Sequence, residues 1–301
     1  MQLLELSLSD IPRFPLYDLH SHTLASDGVL TPAALVQRAV EMRVGVLAIT
    51  DHDTVAGVAE AQQTVAQHNL PLKVVAGLEA STLWENHEIH IVGLYVDCQH
   101  PVLTQFLAQQ HHCREQRALL IAERLERARI PGALDGAQRL AQGGVITRGH
   151  FARYLVEIGK ADNLAQVFKN YLARGKTGYV PPQWCTIKQA IDAIHDSGGF
   201  AVLAHPGRYG LSGKWLRRLI AHFTDAGGDA MEVAQCQQAP NERSQLATYA
   251  REHQLAASQG SDFHQPCPWI ELGRKLWLPG GVEPIWERFP VLAPELNPSD
   301  R

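Results

Sequence analysis

The sequence has no surplus of basic residues: 27 Lys and Arg stand against 31 Asp and Glu, a formal net charge of −4. That balance excludes a whole-surface electrostatic grip on DNA or RNA, so any contact with nucleic acid must be local. No stretch reaches the roughly 18 apolar residues needed to cross a bilayer. The opening MQLLELSLSDIPRFP has no basic segment leading into an apolar run, so no secretory signal is expected. The chain reads as cytoplasmic, with no membrane attachment and no obligate protein partner evident. Cysteine is sparse and unpaired in pattern. Cys98, Cys113, Cys185, Cys236 and Cys267 are scattered, odd in number and contain no C-x-x-C, which excludes a disulfide framework and a zinc knuckle and implies reduced thiols.

What is present is enough apolar residue, 45%, for one barrel-sized domain or two smaller ones. Apolar, β-branched runs at 16–19, 44–50, 72–78, 89–96, 200–204, 230–233 and 255–258 read as buried strands. Helical patterns fall between them at 32–42 (after a Thr31 cap), 55–68, 187–196, 214–226 and 241–253. This alternation predicts an α/β fold, a parallel barrel or open sheet with helices outside. It breaks between 101 and 182, where 105–129, 147–158 and 164–173 look helical with no good strand among them. His100-Pro101 and the run from Gly175 to Pro181-Pro182 punctuate the borders. The expected organisation is a discontinuous barrel over 15–100 and 183–288, with a helical, substrate-capping insertion at 101–182. The tail after Pro290 is expected to be a loose terminus.

Histidine is abundant, with 15 copies. In D-L-H-S-H-T, His20 and His22 are two apart on a strand and face the same way, so both can reach one cation; Asp27 follows in the turn S-D-G. T-D-H-D places His52 just past the second apolar strand, where barrel active sites form, with Asp53 or Thr54 available to cap the next helix. Glu79 ends the third run in G-L-E and His90 lies in H-I-V-G, whereas Glu85, His87 and Glu88 look like solvated residues of a hairpin. A-H-P-G-R supplies His205, and G-S-D-F-H supplies Asp262 and His264. Each site alone has an ordinary reading as a turn, a cap or a surface residue. All nine together at successive strand ends do not. Mixed imidazole and carboxylate ligands suit two or three Mn²⁺, Zn²⁺ or Fe²⁺ ions better than Mg²⁺ or Ca²⁺. Such a cluster can activate water and clamp phosphate oxygens.

In order and spacing these motifs resemble those of the PHP (polymerase and histidinol phosphatase) family over nearly the whole chain. With R-G-H-F-A-R and G-K-T-G-Y-V-P-P-Q-W in the insertion, they look like its bacterial subgroup of 3′,5′-nucleoside bisphosphate phosphatases and 5′-to-3′ exoribonucleases. The resemblance implies a distorted (β/α)₇ barrel and up to three metal ions, commonly Mn²⁺. By motif, His20, His22, Glu79 and Asp262 would hold one ion. Asp27, His52 and His264 would surround a second, and Glu79, His90 and His205 a third.

Arg114 and Arg117, three apart on one helix face, offer guanidinium forks to a phosphate, although spacing alone favours a solvated basic face. The resemblance adds Arg148 and Arg208, with Lys176 a further basic candidate and Asp27 lying at the substrate's edge. The expected reaction is attack by a metal-bound hydroxide on one phosphate while the basic groups anchor another at the 5′ end. It would convert a nucleoside 3′,5′-bisphosphate such as pAp to AMP, and shorten or trim 5′-monophosphorylated RNA stepwise from its 5′ end. Tyr179, Trp184 or Phe151 are candidates to stack on a base, against a more ordinary place in the core. The general acid is left open, with His205 and Asp27 both considered. Rival expectations are a histidinol-phosphate-type phosphomonoesterase, with one phosphate pocket, and a non-catalytic PHP module.

Overall fold

The computed structural model describes residues 15–290; the C-terminal tail and nearly all of the N-terminal segment read above lie outside them. Seven strands form one sheet in chain order: β1 Tyr17–Asp18, β2 Val46–Ile49, β3 Lys73–Trp84, β4 His87–Leu94, β5 Phe200–Leu203, β6 Ala230–Ala234 and β7 Ala256–Gln259. The last strand returns to the first. Leu19 N–H donates to Gln259 O at 3.0 Å and Ser21 bridges Phe263 in parallel, which nearly closes a barrel. Strands such as β2 (VLAI) and β6 (AMEVA) are buried at every position because side chains fill the interior and helices cover the outside.

The helices are α1 Pro32–Glu41, α2 Ala56–His68, α3 Pro101–Arg127, α4 Ala133–Ala141, α5 Arg148–Glu157, α6 Leu164–Val167 (continuing as a π turn to Leu172), α7 Ile187–Asp196, α8 Gly213–Asp225 and α9 Pro240–Glu252. Thr31 caps α1 as its sequence predicts, accepting from Ala34 N–H at 3.1 Å. The expected capping of α2 by Asp53 does not occur, because both Asp53 oxygens are engaged elsewhere; Thr54 Oγ1 instead accepts from Ala56 N–H at 3.2 Å.

The sheet is not wholly parallel. β4 runs antiparallel to both β3 and β5. A crossover between parallel strands needs a dozen or more residues, whereas only Glu85-Asn86 separate β3 from β4. Both turn residues take positive φ, 48° and 63°, as a two-residue hairpin requires. β3 therefore runs on past the barrel rim to Trp84, leaving Glu79 inside the strand rather than at its end.

From Pro101 to Leu172 the chain forms helices only. Their own apolar cluster centres on Ile121, Leu125, Phe151 and Leu155, each 2% exposed or less. Each such burial contributes about 1.5–3 kcal/mol to packing within the segment. The border at 101 is not a clean break. The first turns of α3 carry Leu103, Phe106 and Leu107 into the barrel cluster with Ile187, Ile191 and Ile194 of α7, while its second half enters the insertion cluster. One helix of 27 residues, about 40 Å long, thus ties the helical segment to the barrel.

Candidate active site

Glu79 lies at the centre of a ring of imidazoles. Its Oε1 is 2.9 Å from His90 Nδ1, 2.9 Å from His205 Nε2 and 3.4 Å from His20 Nε2; its Oε2 is 3.0 Å from His52 Nδ1 and 3.3 Å from His22 Nε2. The strands explain this convergence. His20 and His22 leave β1 on one side with their Nε2 atoms 3.1 Å apart, and Asp262, past β7, lies 3.1 Å from His22. His90 faces Ser81 across the β3–β4 ladder, diagonal to Glu79 and on the same face.

Backbone geometry helps to aim these groups. Asp53, His205 and Asp262 sit in the left-handed region at φ 50°, 30° and 54°, a conformation costing of order 1–3 kcal/mol each. Each is pinned through its own N–H: Asp53 to Glu79 O at 2.9 Å, His205 to Glu232 Oε2 at 2.6 Å and Asp262 to His20 O at 2.9 Å. Asp27 is placed by the turn that precedes it. Asp51 accepts from Thr23 N–H, Thr23 Oγ1 and Ser26 Oγ at 2.6–2.7 Å, and a Cβ at Gly28 would fall 2.4 Å from His22 O. Asp27 Oδ1 then faces His264 Nε2 at 3.2 Å.

Three groups bring one donor atom each within 4.8 Å of one another: His20, His22, Glu79 and Asp262; His22, Asp27, His52 and His264; and His52, Glu79 and His90. All nine residues expected as ligands from sequence converge here. His205 joins through Glu79 and belongs to none of the three groups. The site fits divalent cations on its own terms. The buried atoms Asp27 Oδ1, His52 Nδ1, Glu79 Oε2 and His205 Nδ1 have no well-aligned hydrogen-bond partner, and a mixed N/O donor set of this kind satisfies a transition-metal ion.

Electrostatics agree. Burial would push the Glu79 carboxyl upward, but the charges of His90, His20 and His52 outweigh it and hold the group well below the usual range; Asp27 and Asp262 are held down similarly. Burial would make His22 neutral, yet hydrogen bonds to Asp262 and Glu79 hold it up at about 10. For His52, burial wins and its pKa falls.

A cleft of about 370 Å³ lies between this cluster and the helical segment. It is lined by Asp27, His52, His90, Asp262 and His264 of the cluster and by Arg114, Arg117 and Arg148, the last two gathered at Glu88, two residues along β4 from His90. Arg114 bonds Asp53 Oδ2 (2.6 Å) and Ser81 Oγ (2.7 Å). Arg117 and Arg148 share Glu88, at 3.0 and 2.8 Å, and the buried Arg117 Nη2 has no partner.

Glu88 is therefore no solvated hairpin residue. Burial raises its pKa, but the Arg148 and Arg117 guanidiniums outweigh that and drive it far below the usual carboxylate range. Glu85 and His87, its hairpin companions, do stay at the surface. Trp184 gives Glu88 an Nε1–H at 2.8 Å, and its ring takes the Arg114 and Arg117 guanidinium centres at 4.9 and 5.1 Å. It supports the arginines rather than offering a free face to a base. Phe151 lines the cleft but is 1% exposed, and Tyr179 lies outside the lining. Lys176 is exposed and away from the cleft, while Arg208 reaches the cluster by bonding Asp262 Oδ2.

A model of the PHP domain matches residues 18–179, more than half of the chain. The chain belongs to the PHP family. A curated relative, the 5′-3′ exoribonuclease Rnm of Escherichia coli (strain K12), is 71% identical over 280 residues, covering 93% of this chain and 96% of that protein. The 3′,5′-nucleoside bisphosphate phosphatase of Chromobacterium violaceum is 40% identical over 285 residues, covering 94% and 99%. A solved structure from the same organism, described as an amidohydrolase with bound sulfate and no metal, superposes with a TM-score of 0.85 at 40% identity over 90% of this chain and 94% of that one.

Within this PHP site, sequence reasoning missed several residues. Glu232 binds His20 Nδ1 at 2.7 Å, and Thr147 Oγ1 donates to Asp27 Oδ2 at 2.8 Å. Arg153, on α5, donates to Asp27 O. A carboxylate inside the apolar strand AMEVA was a legible signal for Glu232, since an acid is rarely buried without a partner.

Proposed function

We propose that the protein is a metal-dependent phosphoesterase that removes the 3′-phosphate of nucleoside 3′,5′-bisphosphates and releases nucleotides stepwise from the 5′ end of 5′-monophosphorylated RNA. One observation carries this reading: a single cleft is lined both by a carboxylate–imidazole cluster and by three arginines, one with a free buried donor. That layout suits a substrate with two phosphates. The names of the relatives above support the same pair of activities.

His20, His22, Asp27, His52, Glu79, His90, Asp262 and His264 would hold the ions, with His205 beside Glu79; we assign Mn²⁺ as the preferred metal. Bound there, the ions supply Lewis-acid activation of water and charge neutralisation at the phosphate. Arg117 and Arg148, freed in part from Glu88, bind the 5′-phosphate through charge-assisted hydrogen bonds, with Arg114 fixing the wall behind them. Glu232 holds His20 in one orientation, and Thr147 does the same for Asp27. Arg208 orients Asp262. The α3–α5 cap narrows access from solvent over the phosphate.

In both substrates the same bond breaks. The oxygen of water joins phosphorus, the P–O3′ bond opens, and O3′ leaves with a proton. In the bisphosphate the phosphorus carries no other ester, giving inorganic phosphate; in RNA it is also esterified to the O5′ of the next nucleoside, which keeps it as a new 5′-phosphate. One geometry therefore serves both reactions. The test is digestion of 5′-monophosphorylated and 5′-hydroxyl oligoribonucleotides with added Mn²⁺, alongside phosphate release from pAp. The reading predicts fast release from pAp and a strong preference for the 5′-phosphorylated chain; equal rates on both chains contradict it.

A further inference from the structure

Resting on that reading, we propose that Trp269 is the stacking platform for the first nucleobase beyond the cleaved bond, so that the loop following His264 recognises an RNA chain and not a nucleoside bisphosphate. Trp269 is 66% exposed, more than any other large hydrophobic residue among those described. Exposed Trp277 is covered by the Arg243 guanidinium at 4.3 Å, whereas Trp269 has no such cover among the described residues.

Its position is what gives the exposure meaning. Gln265, Cys267 and Ile270 line the cleft. At 3.8 Å between consecutive Cα atoms, Trp269 lies within about 8 Å of the last two, in the loop that leaves the cluster at His264. In the proposed binding mode the rest of an RNA chain emerges on that side, because the 5′-phosphate points toward Arg117 and Arg148.

The loop is held rather than loose. Pro266 and Pro268 restrict its backbone, Ile270 N–H donates to Cys267 Sγ at 3.3 Å, and Arg274 Nη1 donates to Pro268 O at 2.5 Å. Glu271, just beyond, is clamped by Arg38 through two bonds of 2.9 and 2.5 Å. A rigid backbone presenting an indole to solvent loses little entropy when a base settles on it. Exposed Arg274, bonded to the neighbouring Pro268 O, adds positive charge close to the ring for the following phosphate. An aromatic face with adjacent cations is the physical recipe for sequence-tolerant single-strand binding. The bisphosphate has no nucleoside on the far side of its scissile phosphorus, and so leaves this platform unused.

The test compares Trp269→Ala and Trp269→Phe with wild type on three substrates: pAp, a 5′-phosphorylated dinucleotide and a 5′-phosphorylated oligoribonucleotide. Base–aromatic stacking predicts a loss of roughly 5- to 150-fold in kcat/KM on the dinucleotide and oligonucleotide for the alanine variant, and a change under about twofold on pAp. The phenylalanine variant should recover most of the loss. An equal loss on all three substrates, no loss on the RNA substrates, or failure of phenylalanine to restore activity would overturn the proposal. Wild-type protein that hydrolysed none of them would contradict the phosphoesterase reading instead. Titration of the same oligonucleotide onto chelator-treated protein then decides the platform separately: weaker binding by the alanine variant supports it, and unchanged affinity overturns it.

Discussion

Thr147 Oγ1 donates to Asp27 Oδ2 at 2.8 Å across 120 residues of sequence, and with the Arg153 bond to Asp27 O it couples the helical segment to the carboxylate–imidazole cluster. The hydroxyl also caps α5, accepting from Gly149 N–H at 3.0 Å, while His150 Nδ1 accepts from Thr147 N–H at 3.0 Å. Burial lowers the His150 pKa to about 4, so its ring stays neutral and Nδ1 remains an acceptor at physiological pH. The cap therefore helps to set which way Asp27 Oδ1 points.

Thr147→Val should remove both roles at once. Loss of the cap costs about 1 kcal/mol of stability, and loss of an outer hydrogen bond to a ligand weakens metal binding by roughly 10- to 100-fold. Thermal unfolding and a Mn²⁺ titration by calorimetry would measure the two effects. Thr147→Ser should restore both; a variant with unchanged metal affinity would show that Asp27 is oriented without the cap.

Glu88→Gln tests the arginine end. Without its carboxylate, the largely buried Arg117 faces Arg148 uncompensated, and removing one partner of a buried pair costs of order 3–5 kcal/mol, less here because Arg148 is one-third exposed. The sign with pH follows from the depressed carboxyl. Its contribution is present above the unfolded-state value near about 4.3 and is lost as pH falls toward the folded one. The stability gap between wild type and Glu88→Gln, read by denaturant melts, should shrink steadily below about pH 4. A gap independent of pH would mean that Glu88 is not ionised in the fold.

Glu232→Gln should weaken metal binding with little change in fold, because Gln keeps the shape but removes the charge that orients His20. A drop of about 10-fold or more in metal affinity is expected, with near-native circular dichroism. Retained affinity would reduce Glu232 to a structural role.

Metal loading should expel protons. Without the cation, burial opposes charge on both rings, but Asp262 and Glu79 hold the His22 pKa near 10, and Glu232, with Glu79 and Asp262, holds His20 well above its normal value. Groups raised in this way stabilise the fold fully below about pH 6.5 and lose that contribution as pH rises through the folded value. A cation requires the neutral imidazoles, so apparent Mn²⁺ affinity should climb between pH 6 and 8 with measurable proton release. Calorimetry in buffers of different ionisation heat reads this directly; a proton count of zero would refute it.

Much of the carboxylate–imidazole cluster was legible because its residues sit where a strand's apolar run stops, and that junction is written locally in the chain. His20, His52, His205 and His264 all follow this rule. Glu88 shows where local reading fails. In sequence it is one charged residue of a hairpin, and only α3 and α5, 29 and 60 residues on, turn it into the shared partner of Arg117 and Arg148. The antiparallel course of β4 was legible in the two-residue turn but was masked by the helix–strand alternation around it. Trp184 illustrates a third case: an aromatic near a basic insertion suggests base stacking, yet its ring faces are taken by arginines that spacing alone could not bring there.

The two-ended cleft is tested most directly by comparing kcat/KM for a nucleoside 3′,5′-bisphosphate and the matching 3′-monophosphate, in wild type and in Arg117→Ala with Arg148→Ala. Taking the ratio within each protein cancels differences in folding and metal content. Charge-assisted bonds worth about 1.5–3 kcal/mol each predict a wild-type preference for the bisphosphate of at least about tenfold, falling toward unity in the double variant. A wild-type ratio near unity, or a preference that survives loss of both arginines, would contradict the assignment of that end of the cleft to the 5′-phosphate.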